Sequence, residues 1–194
     1  KLVAAAATAV LLAGCAGTPA PSGTPASGTP SAPTESGTLT VITHDSFALG
    51  EKTIAAFKAE TGYDVTFVAP GDAGTVVNQL ILTKDAPMGD VVYGIDNTFA
   101  GRAIGAGILS PYASPALPDG ADAFAADDTH ALTPVDYGDV CVNADTRWFA
   151  AKGLAVPRTL DDLARPEYAG LLVVENPASS SPGLAFLAAT VGAK

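Results

Sequence analysis

The stretch at residues 90–106, which reads D-V-V-Y-G-I-D-N-T-F-A-G-R-A-I-G-A, decides the fold class of this chain. Its first part, residues 90–95, is an apolar run of the kind found in strands of a sheet that is covered on both faces. Its second part, residues 98–106, is a predicted helix, and Asp96 between the two parts suits a helix N-cap. A strand followed at once by a helix is the repeating unit of a parallel α/β sheet.

Two copies of the same unit precede this stretch. Residues 39–43 and 64–69 are predicted strands. Residues 51–61 and 74–84 are predicted helices, because their apolar residues recur at helical spacing. Three strand–helix units in succession predict an α/β lobe with a parallel sheet over residues 39–135.

A second and shorter unit follows downstream. Residues 132–143 are a predicted long strand that crosses out of the first lobe, and residues 159–164 are a predicted short helix. Residues 171–175 then predict a strand and residues 182–191 a helix. Because one strand–helix pair cannot enclose a core, we expect residues 136–194 to hold the crossover strand and the start of a second α/β lobe that is incomplete (truncated) in this chain.

The N-terminal residues have a composition unlike the rest of the chain. Residues 1–15 combine a basic start, a short apolar core and small residues, which predicts a signal peptide, and their end L-A-G-C resembles the bacterial lipobox. Cys15 would then be lipidated and would anchor the protein to a membrane. Residues 16–38 are rich in Pro, Gly, Thr and Ser and predict a disordered tether. We therefore expect an extracytoplasmic lipoprotein at the bacterial cell membrane.

Charge and cysteine usage exclude several classes of function. The chain of 194 residues has Lys+Arg 10 and Asp+Glu 20, a net charge of −10, which argues against a nucleic-acid partner. Cys141 is the only cysteine besides Cys15, and its apolar surroundings predict a small buried side chain. The sequence contains no H-E-x-x-H motif, cysteine pair or Walker loop, so we predict neither a metal site nor a cofactor.

Polar residues follow the predicted strands, where open α/β sheets bind their ligands. The candidate ligand-binding residues at these ends are His44, Asp45, Ser46, Asp72, Ala73, Asp96, Asp136, Tyr137, Ser180 and Ser181. Asp45, Ser46 and Ser181 would equally serve as helix N-caps. An extracytoplasmic hydrolase that uses His44 and Ser46 is an alternative, but no nucleophile elbow such as G-x-S-x-G is present, so we expect a protein that is not an enzyme.

The tethered start, the two α/β lobes and the crossover strand resemble the solute-binding proteins of ABC importers. Residues 159–185, T-L-D-D-L-A-R-P-E-Y-A-G-L-L-V-V-E-N-P-A-S-S-S-P-G-L-A, are typical of the group that binds iron, polyamines, thiamine and similar solutes. Three further stretches are similar to the thiamine-binding periplasmic family: T-V-I-T-H-D-S-F at 40–47, G-D-V-V-Y-G-I-D-N at 89–97 and T-P-V-D-Y-G-D-V-C-V-N at 133–143.

The resemblance implies a two-lobed fold of the periplasmic-binding-protein type II. It further implies a monomer that captures thiamine or its phosphates between the lobes and delivers them to an ABC permease. Ferric ion or a polyamine in the same fold is the alternative. Ligand contacts are implied at Asp72–Ala73 and Ser180–Ser181, whereas His44 stands where the family commonly has Tyr, and Asn-Pro-Ala replaces Asp-Pro-Arg before the serines.

The chemistry of thiamine suggests a role for each group. Carboxylates at Asp72, Asp96 or Asp136 would offset the positive thiazolium ring, and Tyr137 would add cation–π attraction. The hydroxyls and free N–H groups at the helix start Ser180–Ser181 would hold a hydroxyethyl or phosphate tail.

Overall fold

A computed structural model describes residues 36–193 of the chain. The predicted signal peptide, the lipidation site Cys15 and most of the predicted tether lie outside the described residues. Nearly all of both predicted α/β units lies within them.

A three-stranded parallel sheet confirms the predicted fold class. Its strands are β1 (Gly37–Ile42), β2 (Tyr63–Val68) and β3 (Val91–Val92), in the order β2-β1-β3. Val41 of β1 lies opposite Phe67 of β2 on one side and Val91 of β3 on the other. The carboxyl ends of all three strands therefore lie at the same edge of the sheet.

The third strand is shorter than the prediction of residues 90–95. One more backbone bond continues the pairing, from Tyr93 N to Ile42 O at 2.8 Å. The chain then turns at Gly94, whose φ of 101° lies in the left-handed region. Glycine is required there because a Cβ atom would overlap the His44 ring.

Three helices follow the strands in the predicted order, namely α1 (Glu51–Thr61), α2 (Ala73–Leu82) and α3 (Asn97–Ala106). The side chains of Asp72 and Asp96 cap α2 and α3 by accepting backbone N–H groups, which agrees with the capping role predicted for Asp96. Neither Asp45 nor Ser46 caps α1, because that helix begins after Gly50, an N-cap without a side-chain hydrogen bond.

The core lies where α2 and α3 pack together. Ala73, Val77, Phe99 and Ala103 are buried in one cluster. Leu184, from the last helix of the chain, packs against it. Burying a side chain such as Val or Phe stabilises a fold by about 1.5–3 kcal/mol, so this small cluster is the main apolar contribution of the first unit.

Downstream of this core the helices are short until the last one. They are α4 (Thr146–Ala151), α5 (Leu160–Leu163) and α6 (Ser181–Gly192). Helix α4 was not expected from the sequence. Its N-cap Asp145 accepts two backbone N–H groups. Ser180 and not Ser181 caps α6, one residue earlier than predicted.

The prediction of two strands in this region is wrong. Residues 132–143 and 171–175 have no strand assignment. A strand needs a neighbour that exchanges backbone hydrogen bonds, and neither stretch pairs with β1, β2 or β3. Cys141 is exposed, contrary to the predicted burial, because no second layer covers this stretch within residues 36–193. Residues 36–193 belong to one compact unit, so the two-lobed arrangement stays a prediction.

Candidate ligand-binding site

The loops after β1 and β2 lie side by side at the carboxyl edge of the sheet. Thr43 N donates to Val68 O at 2.9 Å, and Asp45 N donates to Gly71 O at 3.0 Å. These bonds extend the parallel pairing past the strand ends. They bring the predicted residues 44–46 next to the predicted pair Asp72–Ala73.

An aromatic cluster occupies this edge. The ring of Phe47 lies 5.3 Å from Phe67 and 5.1 Å from Tyr93, measured between centroids. His44 lies 6.1 Å from Tyr93 and 6.4 Å from Phe47. His44, Phe47, Phe67 and Tyr93 are hereafter called the aromatic cluster. Asp45, which is exposed, directly follows the cluster residue His44 in the chain.

Tyr93 connects this cluster to a distant part of the chain. Its hydroxyl donates to Asp136 Oδ2 at 2.6 Å, a bond that spans 43 positions of sequence. The hydrogen bond to Asp136, burial and the negative charge of Asp136 together hold the pKa of Tyr93 above its ordinary value of 10.0. The predicted ligand residue Asp136 is thereby placed at the end of β3.

Sequence reasoning missed Tyr93 as a residue of this site. It stood inside the predicted strand 90–95, so it was interpreted as part of an apolar run. The signal that could have found it is the glycine that follows, because Gly94 ends the ladder and makes Tyr93 a strand-end residue.

The neighbouring Tyr137 has a different environment. It is 82% exposed, and its ring stacks on Phe124 at 5.1 Å with an interplanar angle of 9°. Its ring contact is thus with the irregular stretch before residue 132. The aromatic contacts of the cluster do not include it.

The carboxylates of Asp72 and Asp96 are already in use as caps. Asp72 Oδ1 accepts Ala73 N at 2.7 Å. Asp96 Oδ1 accepts both Thr98 N at 3.2 Å and Thr98 Oγ1 at 2.7 Å. Both aspartates are half-buried, and Ala73 is buried. A cap and a ligand contact are compatible, because each carboxylate has a second oxygen.

The serine junction, residues 176–181, lies against the start of α2. Gly74 N donates to Ser179 O at 2.8 Å. A Cβ on Gly74 would lie 2.8 Å from Ala178 O and 2.7 Å from Phe99 Cζ, so only glycine permits this approach. The pairs Asp72–Ala73 and Ser180–Ser181 thus lie next to each other, although more than a hundred residues separate them in the sequence.

Ser180 is the most enclosed of the predicted ligand residues at this junction. It is only 4% exposed. Its hydroxyl donates to Glu175 Oε2 at 2.6 Å and accepts Gly183 N at 3.3 Å. Ser181, the first residue of α6, is partly exposed.

Ser46 shows no sign of activation as a nucleophile. Its hydroxyl is 3.5 Å from Asp45 Oδ1, and both residues are exposed. A catalytic serine needs a base such as His within hydrogen-bond reach, and the partner of Ser46 is instead a carboxylate of its own loop. The groups that lie at this edge are aromatic rings, carboxylates and backbone groups.

Two cavities of the described region lie elsewhere. One of about 330 Å³ is formed by residues 113–130, and one of about 500 Å³ lies between α5 and α6. Neither is lined by a predicted ligand residue. The predicted residues lie outside both cavities, and the loops at the carboxyl edge of the sheet are hereafter called the rim.

Two further properties of residues 36–193 concern metal ligation and membrane-spanning helices. No group of three His, Cys, Asp or Glu side chains in this part of the chain could hold a metal ion. None of the helices described there is long and apolar enough to cross a membrane.

A comparison with protein families identifies the class of protein. Residues 86–193, more than half of the chain, match the family described as bacterial extracellular solute-binding protein. The chain belongs to this family, whose description names solute binding. The match includes Asp96, Asp136, Tyr137 and the serine junction.

Two similar proteins of this class are named for the solute that they bind. The chain is 29% identical over 154 residues to the thiamine-binding periplasmic protein of Brucella suis biovar 1 (strain 1330), which covers 77% of this chain and 44% of that protein. It is 28% identical over 153 residues to the thiamine-binding periplasmic protein of Escherichia coli (strain K12), which covers 77% of this chain and 45% of that protein. The chain thus spans less than half the length of the curated relatives it matches.

Proposed function

We propose that this chain belongs to the substrate-binding component of an ABC importer and captures thiamine or a thiamine phosphate for delivery to a permease. The observation that carries the solute is the similarity, over 77% of the chain, to proteins named for thiamine binding. The family supports the class of protein.

The geometry at the edge of the sheet suits such a solute. Thiamine joins a positive thiazolium ring to a flat aminopyrimidine. The aromatic cluster offers rings for stacking, the Asp136 carboxylate contacts the Tyr93 hydroxyl, and Asp45 directly follows His44 in the chain. Cation–π attraction and opposite charge would both favour the thiazolium there.

We also propose the two-lobed arrangement of type II, with residues 39–135 in the first lobe and residues 136–194 as the crossover and part of a second lobe. Exposed apolar side chains support it. Val173 is 90% exposed and Val174 is 52% exposed, in a stretch whose composition suits a strand. Closure of two lobes would bury the solute and present one surface to the permease, with one copy of the protein as the functional unit.

The proposed location is the outer face of the cell membrane. The extracellular family supports export. The signal peptide 1–15, the lipid on Cys15 and the tether 16–38 would attach the binding domain to the membrane. Cys15→Ala should move the protein from the membrane fraction to the soluble fraction, and an unchanged distribution would refute the anchor.

Calorimetry on the full-length protein that contains this chain tests the solute. Thiamine should release heat with one site per chain. Asp136→Asn should weaken binding about tenfold, because the amide keeps an acceptor for Tyr93 but loses the charge. Asp139→Asn, in the same exposed stretch, is the matched control and should bind like the wild type.

Other solutes decide between the alternatives. Spermidine is the informative competitor, because an acidic rim also suits a polyamine. Strong heat with spermidine or ferric ion, and none with thiamine, would overturn the solute and leave the class of protein intact.

A further inference from the structure

The first turns of α2 and α6 are the places in this site where a phosphate group would ordinarily bind. A helix N-terminus offers free backbone N–H groups and the positive end of the helix dipole. Both helix starts lie at the rim described above, since Gly74 of α2 contacts Ser179 just before α6. What a phosphate would find there depends on which N–H groups are still free.

The donors of α2 are used inside the protein. Ala73 N donates to Asp72 Oδ1, and Gly74 N donates to Ser179 O. The next two backbone N–H groups both donate to the carbonyl oxygen of Asp72. The N–H groups of the first three residues of α2 are therefore satisfied, and Val76 N makes the first regular helical bond. The Asp72 carboxylate occupies the position that an anion would take.

At the start of α6 the Gly183 N–H group is used in a similar way, whereas the Ser181 N–H group has no partner in the described residues. Gly183 N donates to Ser180 Oγ at 3.3 Å, and Leu184 N donates to Ser180 O at 3.0 Å. Pro182 has no N–H group. The single hydroxyl proton of Ser180 is donated to Glu175 Oε2 at 2.6 Å, so this hydroxyl cannot also donate to a ligand.

Each of the two helix starts therefore carries a carboxylate of the protein. A phosphate ester has a charge of about −1.5 to −2 near neutral pH, and it would meet like charge at both places. Like charges repel; the Asp72 side chain is half-buried, whereas Glu175 is exposed, so that solvent weakens its repulsion. A positively charged or neutral group meets no such repulsion. The phosphate tail that the sequence predicted at Ser180–Ser181 conflicts with this arrangement.

We infer that Glu175, through its hydrogen bond to Ser180 and its charge at the start of α6, makes this site select the unphosphorylated form of its cationic solute and disfavour the phosphate ester. The inference rests on the proposed function and narrows it from thiamine or its phosphates to thiamine itself. Glu175 is a specificity-determining residue, because its charge acts on the part of the solute that differs between the two forms.

Calorimetry on the full-length protein with thiamine and with thiamine monophosphate tests the inference. The wild type should bind thiamine at least tenfold more tightly than the monophosphate. Glu175→Gln keeps an oxygen that accepts the Ser180 hydroxyl but removes the charge. This variant should bind the monophosphate about tenfold more tightly than the wild type does, with little change for thiamine.

Glu60→Gln is the matched control. It removes the same charge from an exposed position near the C-terminal end of α1, away from the carboxyl edge of the sheet. It should leave the ratio of the two affinities unchanged. Circular dichroism and the melting temperature of each variant show whether it is folded. The ratio itself is insensitive to a uniform loss of folded protein.

The outcomes separate this inference from the proposed function. Equal affinity for the two solutes in the wild type, or an equal change of the ratio in Glu60→Gln, would overturn the role of Glu175 while thiamine binding stands. If Glu175→Gln leaves the ratio as it is in the wild type, the role is also overturned. If neither solute binds the wild type, the proposed function fails and this inference fails with it.

Discussion

The burial of apolar side chains differs between residues 37–109 and residues 132–193. Seven of the eight buried apolar residues of the described chain lie in the first region, Tyr168 being the exception. In the second region, Val135 is 72% exposed, Val173 90% and Val191 69%. The first region is stabilised by its own core, whereas the second leaves surface that would be stabilised by a further layer. Similar sequence patterns therefore lead to different burial when the partners differ.

The largest expected effect comes from removing the core of the first region. Phe99→Ala should lower the free energy of unfolding by about 3–5 kcal/mol, because it leaves a cavity between α2 and α3. Denaturant unfolding of the full-length protein measures it. Leu82→Ala, at a side chain that is 84% exposed in the same region, should change stability by less than about 0.5 kcal/mol. Similar losses for both variants would contradict the position of the core.

The contact between the two regions at Gly74 should be next in size. Gly74→Ala places a methyl group 2.8 Å from Ala178 O and 2.9 Å from Ser179 Cα, which are backbone atoms that cannot rotate away. We expect a loss of about 1–3 kcal/mol in the free energy of unfolding, together with weaker thiamine binding. Gly101→Ala is the control, since its Cβ would meet nothing within 4 Å. A stable Gly74→Ala protein with normal binding would show that this contact does not form.

The second link between the regions is the bond from Tyr93 to Asp136, and its effect should be smaller. Tyr93→Phe keeps the ring in the aromatic cluster and removes one partly exposed hydrogen bond. The expected loss is about 1 kcal/mol in the free energy of unfolding. Tyr112→Phe, at an exposed tyrosine, is the control. If both variants unfold at the same denaturant concentration as the wild type, the bond contributes nothing to stability.

The pH dependence of the same link should be the smallest effect. The pKa of Tyr93 is raised in the folded protein, first by its hydrogen bond to Asp136. Stability from this group is therefore fully present below its ordinary pKa of 10.0 and is lost as the pH rises through the folded value. As the pH rises above 10.0 and through the folded pKa of Tyr93, the wild type should lose more stability than Tyr93→Phe does. Parallel losses in the two proteins would exclude this contribution.

Local sequence signals were enough to predict the helices and the parallel sheet of the first region. The three helices α1, α2 and α3 lie within two residues of their predicted bounds, because apolar spacing and the cap at Asp96 are encoded within a few neighbouring positions. The order of elements predicted a parallel sheet, which the structure confirms. The unpredicted α4 belongs to the second region and is six residues long.

The errors concern residues whose state depends on distant partners. Residues 171–175 have the composition of a strand, but composition cannot show whether a neighbouring strand is present. Tyr93 was missed because its partner Asp136 is 43 positions away. The burial of Ser180 and its bond to Glu175 likewise follow from the way the serine junction folds.

By itself, the sequence determined the α/β class, the helices of the first region, the solute-binding family and the set of polar residues at the strand ends. Only the tertiary structure decided which of those residues meet, which carboxylates already cap helices, and which hydroxyl has no proton left to donate. The physical reason is the distance along the chain over which each interaction acts. Helix periodicity and capping act over a few residues, whereas sheet pairing and the hydrogen bonds of the site join groups that approach one another only after the chain has folded.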